Sequence, residues 1–503
     1  MQQTVATASI ESESKPPFDS LREYAAYLES QGRLVRIDQM DQDQYEMTAF
    51  GYRMEERFRE QAPAFLVERT KLDDRWYETP VLGNILGNFR AVAEVLGVEE
   101  LTDVESDMNK AVVDQILTHL SSNFKWDMID PVAVERDQAP CKEVVLTGDE
   151  VDLFKFPFIR NNPADGGRFI SASAVIMEDP ELGRNMGTYR MHIKGPRKAG
   201  ICFTTRNHGN QFMWRARQRG QTTVPVSIAI GIDPISWMMS STRMAEIGED
   251  EFALAGGLRG KPLEIVRSET NELMVPAHAE IVLEGEISME KEPEGPYGEM
   301  LGYIGGEEPN HWVDIKAITH RSTPWVYNLM PGIGGAYLTW PWQVGHFARL
   351  KQLIPSLTRV HMPPEIPPIC IACIDKRLPG EGMEAGLCIL GYRMTGFAKK
   401  IVIVLDKDID PTDLNRVMHA VATRWQPDPA SIVVKQTLSL PIDPSTHRNF
   451  LNSKIIIDAT RQLPAEGGPE KFALDNRTVM EEQAGDAFEL VDQKWQEYFT
   501  PPD

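Results

Sequence analysis

The chain has 503 residues, 42% hydrophobic and 25% charged, the proportions of a globular protein too long for one hydrophobic core, so about two to four domains are expected. Its 74 acidic against 52 basic residues give a formal charge of −22, which repels a phosphate backbone; with no Lys/Arg-rich run to offset it, nucleic acid is excluded as a partner. No uncharged apolar run approaches the roughly 18 to 20 residues of a membrane span, and the opening MQQTVATASIESESKPP lacks a basic start and an apolar segment, so a cytoplasmic protein with a disordered tail over residues 1–17 is expected.

Asp19 or Ser20 is a good N-cap for a helix carrying Leu21, Tyr24 and Leu28 at helical spacing and stopping at Gly32. A strand over 34–37 follows. Apolar runs at 64–67 and 81–82 alternate with helical patterns at 91–96 and 112–120, which makes 18–125 a small α/β domain ending before the polar stretch 126–140. Short β-rich runs at 169–177, 224–230, 263–266, 280–287 and 314–319, with turn residues between them, predict a β-barrel or sandwich domain over 126–322. Strands at 325–330, 401–405 and 455–457, separated by helical patterns such as 413–424, predict a second α/β domain over 323–465. Residues 476–499 read as one long helix with Phe488, Val491, Trp495 and Phe499 on or near one face, which suits its own core or a neighbouring subunit equally. The fold class is α/β, of the α+β kind.

The five cysteines are scattered and odd in number, which argues against a disulfide framework. Cys370-Ile-Ala-Cys373 matches a redox or zinc half-motif, but it lies in an apolar strand that sends positions three apart to opposite faces, so buried structural cysteines are expected.

Chemistry concentrates in three strings. PEGPYGE sets Glu294 and Glu299 five apart, and Gly295, Pro296 and Gly298 forbid a helix between them. A turn of this kind can aim two carboxylates into one cleft as acid and base; two solvated glutamates in a surface hairpin would look the same in sequence. RNMGTYRMHIKG sets Asn185 and Arg190 near a strand edge, and His208 follows in RNHGN. Asn, His and a carboxylate form a mixed nitrogen and oxygen set suited to Mg²⁺ or Mn²⁺, although a lone loop histidine is more often a surface residue. Two Gly-rich strings, at 332–337 and 255–260, lack the strand, GxGxxG, helix and acidic residue of a dinucleotide site, and no GxSxG, P-loop or HExxH string occurs.

Together these strings resemble the UbiD family of reversible, prenylated-FMN-dependent decarboxylases, over nearly the whole chain from LREYAAYLESQGRLVRI to KIIIDATR. The most specific part is the ordered set Asn185-x4-Arg190, His208, the stretch from Glu251 to Gly260, VPAHAEIVLEGEI and PEGPYGE. The resemblance implies Mn²⁺ or Mg²⁺ on Asn185, His208 and Glu251, bridging to the phosphate of prenylated FMN, with K⁺ as a further candidate. It implies cofactor contacts from Ser171, Thr188, Tyr189, Arg190, Asn207, Met244 and Lys400, and a catalytic network of Arg190, Glu294 and Glu299 with Glu299 as proton donor. It also implies a central split β-barrel flavin domain, a C-terminal helix over 466–503 used in oligomerisation, a homo-oligomer such as a dimer or hexamer, and a flavin prenyltransferase of the UbiX type as cofactor supplier. The substrate it implies is a small carboxylic acid that yields CO₂, aromatic or heteroaromatic if Tyr337, Trp340 and Trp342 wall the pocket. Those aromatics would fill an interdomain core equally well. Three alternatives stand beside this reading: decarboxylation of an α,β-unsaturated acid, a flavin-binding subunit without activity, and a glycosidase built on the two glutamates.

Overall fold

The protein is described by a computed structural model at residues 15–499, apart from 103, 204–206, 331, 333–335, 365, 393–397, 441 and 447–450. The expected tail lies outside these residues up to position 14. Ser20 Oγ accepts from Glu23 N at 3.2 Å and caps the helix Leu21–Ser30, whose Leu21, Tyr24 and Leu28 are buried. The chain leaves that helix through Gly32 at φ +66°, the left-handed conformation that glycine adopts without strain.

The first sheet runs Leu34–Asp41, Ala64–Leu72, Val81–Gly83, Val326–Asn328, with Arg75–Tyr77 added to Ala64–Leu72. Its last member corrects an expectation. The strand expected to open the second α/β domain instead pairs in parallel with the first, Val326 opposite Val81 and Tyr327 opposite Leu82. Two apolar residues and an asparagine, all buried, say only that a strand is enclosed, and its partner is fixed by tertiary structure.

The central sheet has nine strands, in the order Phe169–Ile170, Met191–Gly195, Lys198–Ile201, Glu308–His320, Ile281–Glu294, Thr223–Ile230, Ser173–Asp179, Gly183–Thr188, with Val144–Thr147 on the flank of Glu308–His320. No pairing among the described residues closes this path into a ring, so the sheet is open where a barrel or sandwich was expected. The third sheet runs Leu357–His361, Ile369–Ile374, Ile401–Asp406, Leu451–Asp458, Ser431–Leu438. Cys370 packs with Ala372 and Ile374 in one core cluster while Cys373 joins Ile371 in another, so the two thiols do leave on opposite faces. Burial pushes them up to about 11 and about 12, and both remain thiols.

Two further readings are resolved by packing. The Gly-rich string at 255–260 belongs to the helix Glu251–Arg259, and a Cβ at Gly257 would stand 1.9 Å from Asp127 O, one at Gly256 2.4 Å from Ile129 O. Glycine is there to let segment 127–129 lie against the helix. The terminal segment is three short helices, Asn476–Ala484, Asp486–Gln493 and Trp495–Tyr498, in place of one long one. The breaks fall at Gly485, a weak helix former, and at Lys494. No helix among the described residues is long and apolar enough to cross a membrane.

Candidate active site

Three elements of the central unit converge on one point. Asn185 lies on the strand Gly183–Thr188, while His208 and Glu251 are the first residues of the helices His208–Gln218 and Glu251–Arg259. Asn207 Oδ1 accepts from Asn210 N at 2.8 Å and Asp250 Oδ1 from Phe252 N at 2.9 Å, so each helix start is capped and its ligand candidate is held one residue inside. His208 Nδ1 stands 3.2 Å from Asn185 Oδ1 and 3.6 Å from Glu251 Oε1, and Glu251 Oε2 accepts from Met186 N at 2.9 Å.

These separations suit a divalent cation, since ligands at 2.0–2.1 Å in an octahedron stand about 3.0 Å apart. The Asn185 side chain also hydrogen-bonds Tyr189, and its Oδ1 faces His208 Nδ1, as an oxygen donor to a cation must. Burial also pushes the Glu251 carboxyl upward, and His208 and the Met186 N–H offset that only in part. No group of three or more His, Cys, Asp or Glu is gathered as a metal centre among the described residues, and here the third donor is an amide. Two helix N-termini at one place also favour an anion such as a phosphate.

Around the trio, Tyr189 Oη accepts from Gly209 N at 3.0 Å, and Thr188 Oγ1 lies 2.9 Å from the hydroxyls of both Ser240 and Ser241. Met244 is fully buried, and its carbonyl accepts from Arg349 Nη2 at 2.6 Å. Two expected members are tied up elsewhere. Ser171 Oγ donates to Asn328 Oδ1 at 3.0 Å and accepts from Leu329 N at 2.9 Å. Lys400 Nζ pairs with Asp443 Oδ2 at 3.1 Å and with Ser445. Among the described residues neither hydrogen-bonds nor pairs with a member of the trio. The neighbouring Lys399, which sequence reasoning passed over, is buried with Nζ donating to Pro367 O at 2.7 Å and 5.0 Å from the Trp342 ring. Burial pushes it down to about 8.

The second constellation is a buried ion network. Arg190 Nε donates to Glu294 Oε1 at 3.0 Å and Nη2 to Oε2 at 2.8 Å, a bidentate fork, while Nη1 donates to Glu299 Oε1. Asn310 Nδ2 adds a third bond to Glu294, 3.2 Å to Oε2. Burial works against the charge of Arg190, but the Glu294 hydrogen bonds and the nearby charges outweigh it and raise its pKa. Burial raises Glu299; Arg190 opposes this, and Glu294 and Asp165 reinforce it. Cys202, beside Arg190, is pushed up to about 12 by burial and is no nucleophile. Glu294 and Glu299 are therefore not solvated hairpin glutamates. They share one cation, and only one of them is locked by both oxygens.

Of the aromatics expected to wall a pocket, Trp340 fills core instead, stacked on Phe89 with centroids 4.0 Å apart. Trp342 lies 5.4 Å from the buried His346 ring and 6.0 Å from the Arg243 guanidinium. The Tyr337 side chain lies outside the described residues, as do residues 331 and 333–335.

The chain is similar to known proteins over most of its length. Profiles described as the N-terminal, Rift-related and C-terminal domains of 3-octaprenyl-4-hydroxybenzoate carboxy-lyase, UbiD, match residues 25–108, 132–334 and 337–459. A phenolic acid decarboxylase of Sedimentibacter hydroxybenzoicus is 31% identical over 485 residues, covering 91% of this chain and 94% of the relative. The vanillic acid decarboxylase of that organism in closed form superposes with a TM-score of 0.84 at 30% identity, covering 94% of this chain and 99% of the other. An evolved dimeric form of the UbiD-class enzyme HmfF from Pelotomaculum thermopropionicum, in complex with prFMN, gives 0.71 at 28% identity and covers 93% of this chain and all of the other, 100%.

Proposed function

Because the chain belongs to the UbiD family of carboxy-lyases, we propose that it catalyses the reversible, non-oxidative decarboxylation of an aromatic or heteroaromatic carboxylic acid with prenylated FMN, Glu299 acting as proton donor. The observation that carries this is the fork of Arg190 on Glu294 with Glu299 on its remaining nitrogen. The same intact network speaks against a flavin-binding subunit without activity.

Loss of CO₂ from a flat, unsaturated acid leaves charge on an sp² carbon, which no side chain here can delocalise. Bound at the site, prenylated FMN would supply the electron sink. Asn185, His208 and Glu251 would hold Mn²⁺ or Mg²⁺ against its phosphate, with K⁺ as a further ion, and Thr188, Tyr189, Asn207 and Met244 would line the cofactor side. Ser171 and Lys400 would complete this set on the phosphate side, each held by a neighbour, Asn328 and Asp443.

The chain's own part is positioning and proton delivery. Arg190, fixed by Glu294, orients the incoming carboxylate. Glu299 must be an acid when the carbon needs its proton, and burial with two neighbouring carboxylates pushes it that way. A substrate carboxylate arriving beside Arg190 competes with Glu299 for the cation and favours the protonated form further. We also propose that the cofactor comes from a UbiX-type flavin prenyltransferase and that the chain forms homo-oligomers through its exposed terminal helices. The test is to load the purified protein with prenylated FMN and Mn²⁺ and screen aromatic, heteroaromatic and α,β-unsaturated acids for CO₂ release. Release from vanillic acid or another aromatic acid is expected; release from unsaturated aliphatic acids alone would reject the substrate class.

A further inference from the structure

Arg190 immediately precedes the strand Met191–Gly195, and His192, two residues on in extended backbone, leaves on the same face. The His192 ring is buried and stacks on Phe169, centroids 4.4 Å apart at 24°. Its Nδ1 accepts from Gly295 N at 3.3 Å, which puts the ring proton on Nε2, and the ring also hydrogen-bonds the Gly166 backbone. On the other side of the turn, buried Asp165 accepts from Gly298 N through Oδ1 at 2.9 Å, while its Oδ2 is anchored by Asn162 N at 2.9 Å. Gly166 N closes the arrangement by donating to Pro296 O at 2.8 Å.

Three of these bonds, those of Gly295 N, Pro296 O and Gly298 N, end on the backbone of residues 295–298, the segment between the two glutamates. The fit is close: a Cβ at Gly166 would stand 2.3 Å from Gly295 O, and one at Gly167 2.9 Å from His192 Nε2. Tyr297, inside the turn, rests on the same Phe169 at 4.4 Å and carries Arg190 over its ring at 5.0 Å. The 161–168 loop and His192 thus form a backing on which the turn is seated, and neither is used by the proton-transfer scheme.

We propose that Asp165 and His192 are positioning residues of the turn, holding the Gly298 and Gly295 N–H groups so that Glu294 and Glu299 reach Arg190 together. This rests on the reading of Arg190, Glu294 and Glu299 as the reactive set. A second consequence follows from charge. The charged groups facing Glu299 are Arg190, Glu294 and Asp165, so the Asp165 carboxylate helps keep Glu299 in its acid form. Those facing His192 are Lys194, Glu294 and Arg190; burial and then Lys194 hold its ring down to about 4, so the acceptor at Nδ1 persists at neutral pH.

The test is the titration of the Glu299 carboxyl in full-length, flavin-free protein, by isotope-edited infrared or carbon NMR, with the signal assigned by its loss in Glu299→Gln. Asp165→Asn keeps an oxygen for Gly298 N–H, gives up the acceptor for Asn162 N–H and removes the charge, so the Glu299 midpoint should fall by about half a unit or more. His192→Leu removes the acceptor and should displace that midpoint by about half a unit or more, whereas His192→Gln, whose side-chain carbonyl can accept from Gly295, should keep it near wild type. A midpoint unmoved in Asp165→Asn and in His192→Leu would overturn the proposal, as would equal displacement in His192→Leu and His192→Gln. If His192→Leu does not fold, Asp165→Asn decides. The outcome is separable from the functional reading: an active Glu299→Gln enzyme sinks that reading, while an inert one with unmoved midpoints sinks only this inference.

Discussion

His208 Nδ1 is the atom through which the proposed metal trio meets, 3.2 Å from Asn185 and 3.6 Å from Glu251. Truncating His208 or Glu251 to alanine removes a charged or strongly basic donor from the proposed cation site, and with the cation goes the partner of the flavin phosphate. Both variants are expected to purify with several-fold less metal and flavin, read by elemental analysis and flavin absorbance; Asn185→Ala, which removes a neutral donor, should act the same way but less. Wild-type occupancy in the first two would reject the assignment. At this scale much of the site was legible. The residue types and order of Asn185, Arg190, His208, Glu251, Glu294 and Glu299 carry their own chemistry, and the structure gathers them into two groups. Asp165, His192 and Asn310 were not legible, because they act on backbone N–H groups or on one buried carboxylate, and no spacing in the sequence encodes such a contact. The neighbours of Ser171 and Lys400 were not legible either: a resemblance can align a hydroxyl or an amine without showing that Asn328 or Asp443 sits beside it.

The elements that carry these residues depend on contacts the hydrophobic pattern does not show. Helix Glu251–Arg259 starts at a proposed metal ligand and is pinned by the close approach of segment 127–129 at Gly256 and Gly257. Gly257→Ala would place a methyl 1.9 Å from Asp127 O, so overpacking is expected to cost about 1–3 kcal/mol, seen as a lower melting temperature, and to reduce metal content because Glu251 moves with the helix. Gly391→Ala is the control. Among the described residues nothing lies within 4 Å of a Cβ there, and alanine at the end of the helix Glu381–Gly391 should leave stability unchanged or slightly raised. If both substitutions were neutral, the packing account of the double glycine would be wrong. The string was readable as Gly-rich, and the absence of a preceding strand correctly argued against a dinucleotide loop. What it does instead lies in a contact more than a hundred residues away in sequence. The strand Val326–Asn328 was misassigned for the same kind of reason, since a short buried run marks burial and leaves the choice of sheet to the tertiary structure.

On the scale of the whole molecule, buried histidines set an acid limit. Burial lowers His192, His311, His320, His346 and His361 below the ordinary 6.5, His192 and His361 to about 4. As pH falls below 6.5 the unfolded chain binds protons on these rings that the folded chain refuses, so stability is full above 6.5 and is lost progressively toward 4. The melting temperature should therefore drop between pH 7 and pH 5, and drop less in His361→Gln. A melting temperature independent of pH over that window would contradict the burial of these rings. The terminal helices present Trp495 at 53% and Phe499 at 70% exposure, apolar surface of the kind that marks an interface. Deleting residues 470–503 should lower the particle mass toward a monomer in light scattering; an unchanged assembly would place the interface elsewhere. The central claim is that one carboxyl, Glu299, supplies the proton that replaces CO₂. It is tested most directly by loading wild type and Glu299→Gln with prenylated FMN and Mn²⁺, giving both the same carboxylic acid substrate in deuterium oxide, and measuring CO₂ release and deuterium at the product carbon. The account predicts equal flavin and metal content with both rates at least a hundredfold lower in the variant, on the order of the general-acid contribution. Rates near wild type for CO₂ release and deuterium incorporation would contradict it.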